Sequence, residues 1–155
     1  MKVEYINPFV VAAFNVIESV LGEQPSKGQL SMRPLTFTSQ QCNLMTGVVG
    51  SIEGQVIYGM SLTAADKIAS TMIGQPVRTF DQLAASAIAE LGNMITGNAV
   101  TLLSEQGWVC DITPPSIIRG TNVKINMLNI PALVVPVCLS QGTIELTVSL
   151  RERGG

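Results

Sequence analysis

Glu90 and Asn93 stand three residues apart, and the chain contains no histidine. A carboxylate and a primary amide one helical turn apart suit a narrow kind of chemistry. The carboxylate can pair with a cation. The amide both donates and accepts, so it can hold a water molecule in a fixed direction. Neither group has to act as a strong base. The absence of histidine removes Ser-His-Asp and Cys-His catalysis, a histidine general base and most zinc sites. Cys42, Cys110 and Cys138 are odd in number, far apart and outside any Cys-x-x-Cys pattern, so they read as buried thiols and not as a disulfide framework. Any reaction must therefore use carboxylates, amides, hydroxyls and backbone, or groups brought by a partner.

The element that positions the pair is a long helix. Thr79-Phe80-Asp81-Gln82 is a candidate N-terminus, the pattern runs to about Gln106, and Gly107 is the expected stop. At about 100° per residue, Ala84, Ile88, Leu91, Ile95, Ala99 and Leu102 share one sector, which faces the core. Ser86, Glu90, Asn93 and Gly97 fall on the far side, where residues three and four apart are neighbours. Gly92 and Gly97 each cost about 1 kcal/mol relative to alanine inside a helix. Gly97 lies on the polar side and would leave room for a docking surface. Gly92 points to the flank and serves packing. Ser86, Met94 and Thr101 rim the polar stripe. Such residues are also ordinary on a solvated helix face, so spacing alone does not make a catalytic site.

The remaining elements follow from periodicity and breakers. Asn7-Pro8 reads as a helix start, and Phe9, Val10, Ala13, Phe14, Ile17, Val20 and Leu21 recur at helical spacing up to Gly22. One strand is expected around Met32 to Thr38. Asn43 to Ser61 reads as a hairpin turning at Ile52-Glu53-Gly54. Thr63-Ala64-Ala65-Asp66 resembles a capping box, opening a helix that stops at Gly74 before Pro76. Trp108 to Asp111 is a short strand, with Trp108 packed at the end of the long helix. Asp111 is taken to cap a loop, and Thr113-Pro114-Pro115 is a rigid connection. Pro131 and Pro136 place Ile130 to Leu139 at an edge or bulge. Gln141-Gly142 turns the chain. Ile144, Leu146, Val148 and Leu150 then alternate with Glu145, Thr147 and Ser149, giving one buried and one wet face. The tail from Arg151 to Gly155 is expected to fray. The order helix, irregular stretch, hairpin occurs twice, in keeping with an internal duplication. The expected class is α+β, with helices packed on an antiparallel sheet, in a single domain spanning residues 1–155.

Composition narrows the function classes. The chain is 46% hydrophobic and only 13% charged, with a formal net charge of −2. Its nine cations are scattered and form no stripe that could neutralise a row of phosphates, so nucleic acid is a poor partner. No apolar run reaches the roughly 18 residues that span a bilayer. The first residues lack an apolar core and a small-residue cleavage site, so no signal peptide is read and a cytoplasmic protein is expected.

The run Ala87-Ile88-Ala89-Glu90-Leu91-Gly92-Asn93-Met94-Ile95-Thr96-Gly97-Asn98-Ala99 resembles the Glu-x-x-Asn helix of the CheC/CheX/FliY chemotaxis phosphatases. Asp111-Ile112-Thr113-Pro114-Pro115 follows at the distance expected of the CheX branch. Gly50 to Tyr58 is similar to the family's first hairpin. The resemblance covers nearly the whole chain and implies the CheC-like fold. It further implies dephosphorylation of the aspartyl phosphate of a CheY-like response regulator. Glu90 would contact the regulator's active-site lysine, and Asn93 would orient the attacking water. Ser86, Met94 and Gly97 would belong to the docking surface. CheC carries two such helices. Helix one here holds Asn7, Asn15 and Glu18 but no Glu-x-x-Asn, which points to the one-site CheX form. The resemblance also implies a homodimer joined through its sheet, no cofactor or metal of its own, and Mg2+ on the regulator.

Two other readings compete. A non-enzymatic module that binds regulators or builds flagellar switch assemblies would have no need of an amide beside the glutamate. An unrelated carboxylate hydrolase would need a second acid near Glu90, such as Asp111 or Glu53, and a pocket of its own.

Overall fold

The computed structural model describes residues 3–127 and 130–154. Helix α1 (Val3–Leu21) leads into three short strands, β1 (Ser26–Lys27), β2 (Ser31–Arg33) and β3 (Thr36–Thr38). A hairpin of β4 (Cys42–Gly50) and β5 (Ile52–Met60) follows, then α2 (Leu62–Ile73). The second half repeats that order: α3 (Gln82–Glu105), short strands β6 (Cys110–Ile112), β7 (Ser116–Arg119) and β8 (Lys124–Asn126), and a hairpin of β9 (Ala132–Leu139) and β10 (Gly142–Glu152).

The main sheet has the order β1-β9-β10-β5-β4-β6, with β2 also on β9 and β7 also on β4, all antiparallel. The two hairpins meet at β5 and β10, which pair from Gly59↔Glu145 to Ile52↔Glu152. Short strands from each half pad the outer hairpin strand of the other, and β3 pairs with β8. The two-part organisation expected from the sequence is thus present in the topology. The three helices cover one face of the sheet, where Phe9, Ile17, Leu44, Ile68, Ile88, Ile95, Leu103 and Leu146 are fully buried. This is the expected α+β layer.

Several local expectations change. Pro8 lies inside α1, since the helix already runs from Val3. As the sixth helical residue it lies past the first turn, so the helix forgoes one hydrogen bond to the Glu4 carbonyl. The expected strand from Met32 to Thr38 is broken at Pro34-Leu35 into β2 and β3, which join different sheets. The hairpin turns at Gly50-Ser51, while Ile52, Glu53 and Gly54 already belong to β5. Gly54 adopts φ 148° against the backbone of Ser149, where any side chain would collide. The cap of α2 is Ser61, two residues before the expected box, and its hydroxyl accepts from the Ala64 amide at 3.0 Å. Gly74 ends α2 in the left-handed conformation, as the end rule requires.

Strand β9 is one place in from the edge. β1 and β2 flank Pro136 on its outer side, and the Gly28 amide donates to the Pro136 carbonyl at 2.9 Å. The supposedly wet face of β10 is closed: Thr147 and Ser149 are each 2% exposed. A second small core of Phe37, Ile57, Ile125, Met127 and Ala132 covers that side, and Ser149 donates to the Ile130 carbonyl. The tail is ordered through Glu152, with Arg151 paired to Glu53 at 3.1 Å, and Gly155 lies outside the described residues.

Candidate functional site

Helix α3 starts where the side chain of Asp81 accepts from the Ala84 amide at 2.9 Å and stops before Gly107, whose φ of 98° a helix cannot continue. Its buried row is Ala84, Ile88, Leu91, Gly92, Ile95, Thr96, Ala99 and Leu103. Leu103 is buried in place of the expected Leu102, on the same side as Gly92 and Thr96, so the buried sector is wider than the apolar row alone suggests.

Opposite that row, Glu90 and Ser86 are exposed, and Asn93, Met94 and Gly97 are half-buried. Among the described residues neither the Glu90 nor the Asn93 side chain has a hydrogen-bond or ion-pair partner. A carboxylate and an amide therefore face outward from one turn of a long, capped helix. A Cβ on Gly97 would meet nothing within 4 Å, so the surface beside the pair is bare. Met94 leans partly on the core, and its thioether covers the border. Leu83, two turns before Glu90 and hence on the same side, is 60% exposed. Sequence pattern alone does not single it out.

Beneath the pair the helix is pinned. A Cβ on Gly92 would come within 1.8 Å of Leu44 Cδ2, so β4 touches the helix backbone at this point. Tyr58 Oη and Thr96 Oγ1 lie 2.6 Å apart, and Thr96 donates to the Gly92 carbonyl at 2.8 Å. Burial pushes the Tyr58 phenol well above its ordinary value, against the smaller effect of the Thr96 bond. It stays protonated and able to donate. Tyr58, Thr96 and Leu44 escape sequence reading because they lie on β5, on the inner side of α3 and on β4. Thr96, four residues after Gly92, was the one available signal.

Other candidates fall away. Asp111 lies beyond the C-terminal end of α3, on β6 opposite Val49 of β4. Glu53 sits at the tip of the first hairpin and pairs with Arg151. Among the described residues, neither acid that could have partnered Glu90 lies on its helix, which counts against the carboxylate-hydrolase reading. The clefts lined by Lys67 and Gln141, by Val49 and Arg151, and by Phe80 and Arg119 contain neither Glu90 nor Asn93. Burial raises the thiol of Cys42 to about 11 and also raises that of Cys110, so both remain neutral near pH 7. Trp108 packs edge-on against Tyr5, with ring centroids 5.0 Å apart, at the end of α3 as expected. Among the described residues no group of three or more Cys, Asp or Glu gathers to hold a metal. No helix among them is long and apolar enough to cross a membrane.

The chain matches the family model described as chemotaxis phosphatase CheX over residues 43–138. It is 32% identical to the CheY-P phosphatase CheX of Thermotoga maritima, covering 99% of this chain and 100% of that protein. A chain of the CheX–CheY–BeF3–Mg2+ complex from Borrelia burgdorferi is 34% identical, with a TM-score of 0.83 and coverage of 97% and 100%. A CheC-like superfamily protein from Shewanella sp. PV-4 has a TM-score of 0.88 at 24% identity, covering 97% of this chain and 99% of that one.

Proposed function

The chain belongs to the CheX family of chemotaxis phosphatases, and from that premise we propose that it hydrolyses the aspartyl phosphate of a CheY-like response regulator. The observation that carries the reading is the open pair Glu90 and Asn93, their side chains unpartnered among the described residues, on a long capped helix whose flank at Gly97 is bare.

The chemistry asks little of the phosphatase. Phosphoryl transfer has a loose transition state, so positioning and charge stabilisation dominate. The regulator supplies the phosphoaspartate, Mg2+ and a lysine. Asn93 holds a water in line with the phosphorus–oxygen bond to the aspartate. The water oxygen bonds to phosphorus, the aspartyl oxygen leaves as carboxylate, and the water proton passes to the departing phosphate or solvent. An amide serves here as glutamine does in GTPases. Glu90 pairs with the regulator's lysine and fixes the register in which Asn93 enters. Ser86, Met94 and Gly97 line the contact. A pair that lies outside the clefts described above fits a macromolecular substrate that carries its own active-site cleft. The same reading takes the protein as a homodimer joined through its sheet, which light scattering of the full chain checks.

Phosphate release from phosphorylated regulator tests the assignment. Asn93→Ala is expected to lower turnover by about 100-fold or more, the scale seen when one positioned transition-state donor is removed, while binding to beryllofluoride-activated regulator stays within a few fold. Glu90→Ala is expected to weaken both. Normal turnover in Asn93→Ala would sink the mechanism. Binding without turnover in the unmodified protein would leave a regulator-binding module.

A further inference from the structure

We propose that Tyr58 and Thr96 are positioning residues: their hydroxyls form a hydrogen-bonded relay from the sheet to the Gly92 carbonyl and so set the direction in which Asn93 points. The inference rests on the role assigned to Asn93 above.

The direction of the relay follows from proton counting. A carbonyl only accepts, so the 2.8 Å contact between Thr96 Oγ1 and Gly92 O uses the single hydroxyl proton of Thr96. The 2.6 Å contact between Thr96 Oγ1 and Tyr58 Oη must then be a donation from the tyrosine. The chain runs from Tyr58 on β5, through Thr96, to the carbonyl of Gly92. Both hydroxyls are buried, so each bond is made in a medium where an unmade one is costly.

The acceptor gives the relay its consequence. The Gly92 carbonyl and the Asn93 amide nitrogen belong to one planar peptide group. Holding the oxygen holds that plane, which carries the Asn93 Cα, and with the helical φ of residue 93 this places the bond from which the side chain departs. An extra hydroxyl donor on a helix carbonyl also bends the local axis. Leu44 closes the other side by occupying the space where a Cβ of residue 92 would sit. The turn bearing Asn93 is therefore held by a steric stop from β4 and a polar anchor from β5. Two buried hydroxyls are a demanding way to fill a core. A phenylalanine and a valine would occupy the same volumes without the polar groups.

The test uses the full chain with Tyr58→Phe, Thr96→Val and Thr96→Ser. Steady-state phosphate release gives kcat and KM for phosphorylated regulator, thermal melting reports folding, and the Asn93 amide resonances report its orientation. Thr96→Val is expected to lower kcat by about 10- to 100-fold, as misplacement of a reacting group does, with KM within twofold. Tyr58→Phe is expected to lower kcat several fold, because Thr96 keeps its bond to Gly92. Thr96→Ser is expected to restore most of kcat. The Asn93 signals should shift in the first two variants and return in the third. A kcat within twofold of the unmodified protein in both Thr96→Val and Tyr58→Phe overturns the relay. So does a loss of kcat that follows melting while the Asn93 signals stay in place. If the unmodified protein releases no phosphate, the phosphatase reading fails instead. The relay then stands or falls on the Asn93 resonances alone.

Discussion

Helices α1 and α3 occupy matching places, packed on each other and each followed by short strands and a hairpin, yet only one carries the polar pair. Their burial can be laid residue on residue. Buried Tyr5, Pro8, Phe9, Ala12, Ala13 and Val16 keep the spacing of buried Ile88, Leu91, Gly92, Ile95, Thr96 and Ala99. In that alignment Glu90 and Asn93 correspond to Asn7 and Val10. Gly92 corresponds to Phe9, Thr96 to Ala13, and Gly97 to Phe14. The two helices thus share a core-facing scaffold and differ in what is built on it. On α3 a bare backbone and a hydroxyl meet the sheet beneath an outward carboxylate and amide. On α1 an aromatic ring fills the gap, Ala13 has no hydroxyl, and the outer face offers a valine where the amide would stand. The site needs its inner side as much as its outer one.

The largest effect expected from this contrast is on stability, and it belongs to α1. Phe9 is fully buried, and Phe9→Ala should cost about 3–5 kcal/mol by leaving a cavity. Denaturant unfolding would read this directly. Turnover per folded molecule should be kept, because the loss touches nothing on the face of α3. A fall in the specific activity of the folded fraction would show that the helices are not separable.

A transplant is expected to fail by about 100-fold. Asn7→Glu with Val10→Asn writes the Glu-x-x-Asn spacing onto α1. In an Asn93→Ala background it should leave phosphate release at the level of Asn93→Ala alone, about 100-fold below the unmodified protein. Pro8, Phe9 and Ala13 remain where α3 has Leu91, Gly92 and Thr96. Recovery to within tenfold would show that the outer pair suffices and that the support beneath it is irrelevant.

Gly92→Ala comes next, at about 1–3 kcal/mol of overpacking, since the new Cβ would meet the Leu44 side chain. Calorimetry on Gly92→Ala alone and together with Leu44→Ala separates crowding from helix propensity. The second substitution removes the obstructing methyls, so the pair should cost less than the sum of its parts. Additive losses would place the strain elsewhere.

How far the sequence foretells this contrast depends on the kind of interaction. The outer pair was legible, because Glu90 and Asn93 are one turn apart and their exposure follows from the apolar row on the other side. The cap at Asp81 and the stop at Gly107 were legible for the same local reason. The support beneath was not. Tyr58 and Leu44 reach Gly92 only after the hairpin is laid under the helix, a contact between residues far apart in the chain. The closed second face of β10 was hidden likewise. Thr147 and Ser149 look wet by alternation, yet both are buried on the side that carries the second small core, to which β3 and β8 contribute Phe37 and Ile125. The hairpin turn shifted because Gly50 and Gly54 both accept unusual backbone angles, and local chemistry does not choose between them.

The smallest effect is at Gly97, and its sign is informative. A glycine in a helix interior costs about 1 kcal/mol relative to alanine, and packing does not require it, since among the described residues an added Cβ meets no atom within 4 Å. The matching place on α1 carries Phe14, half-buried against the core, so the scaffold tolerates a large side chain there. Gly97→Ala should therefore stabilise the free protein by up to about 1 kcal/mol, raising Tm by roughly 2–4 °C for a chain of this size. If a regulator lies against this face, the same methyl should weaken binding to the beryllofluoride-activated form several fold, and Gly97→Leu should weaken it further. Opposite signs for stability and affinity would mean that the glycine answers to the partner. A stabilised variant with unchanged affinity would move the docking surface away from Gly97 and leave Glu90, Asn93 and Ser86 to define it.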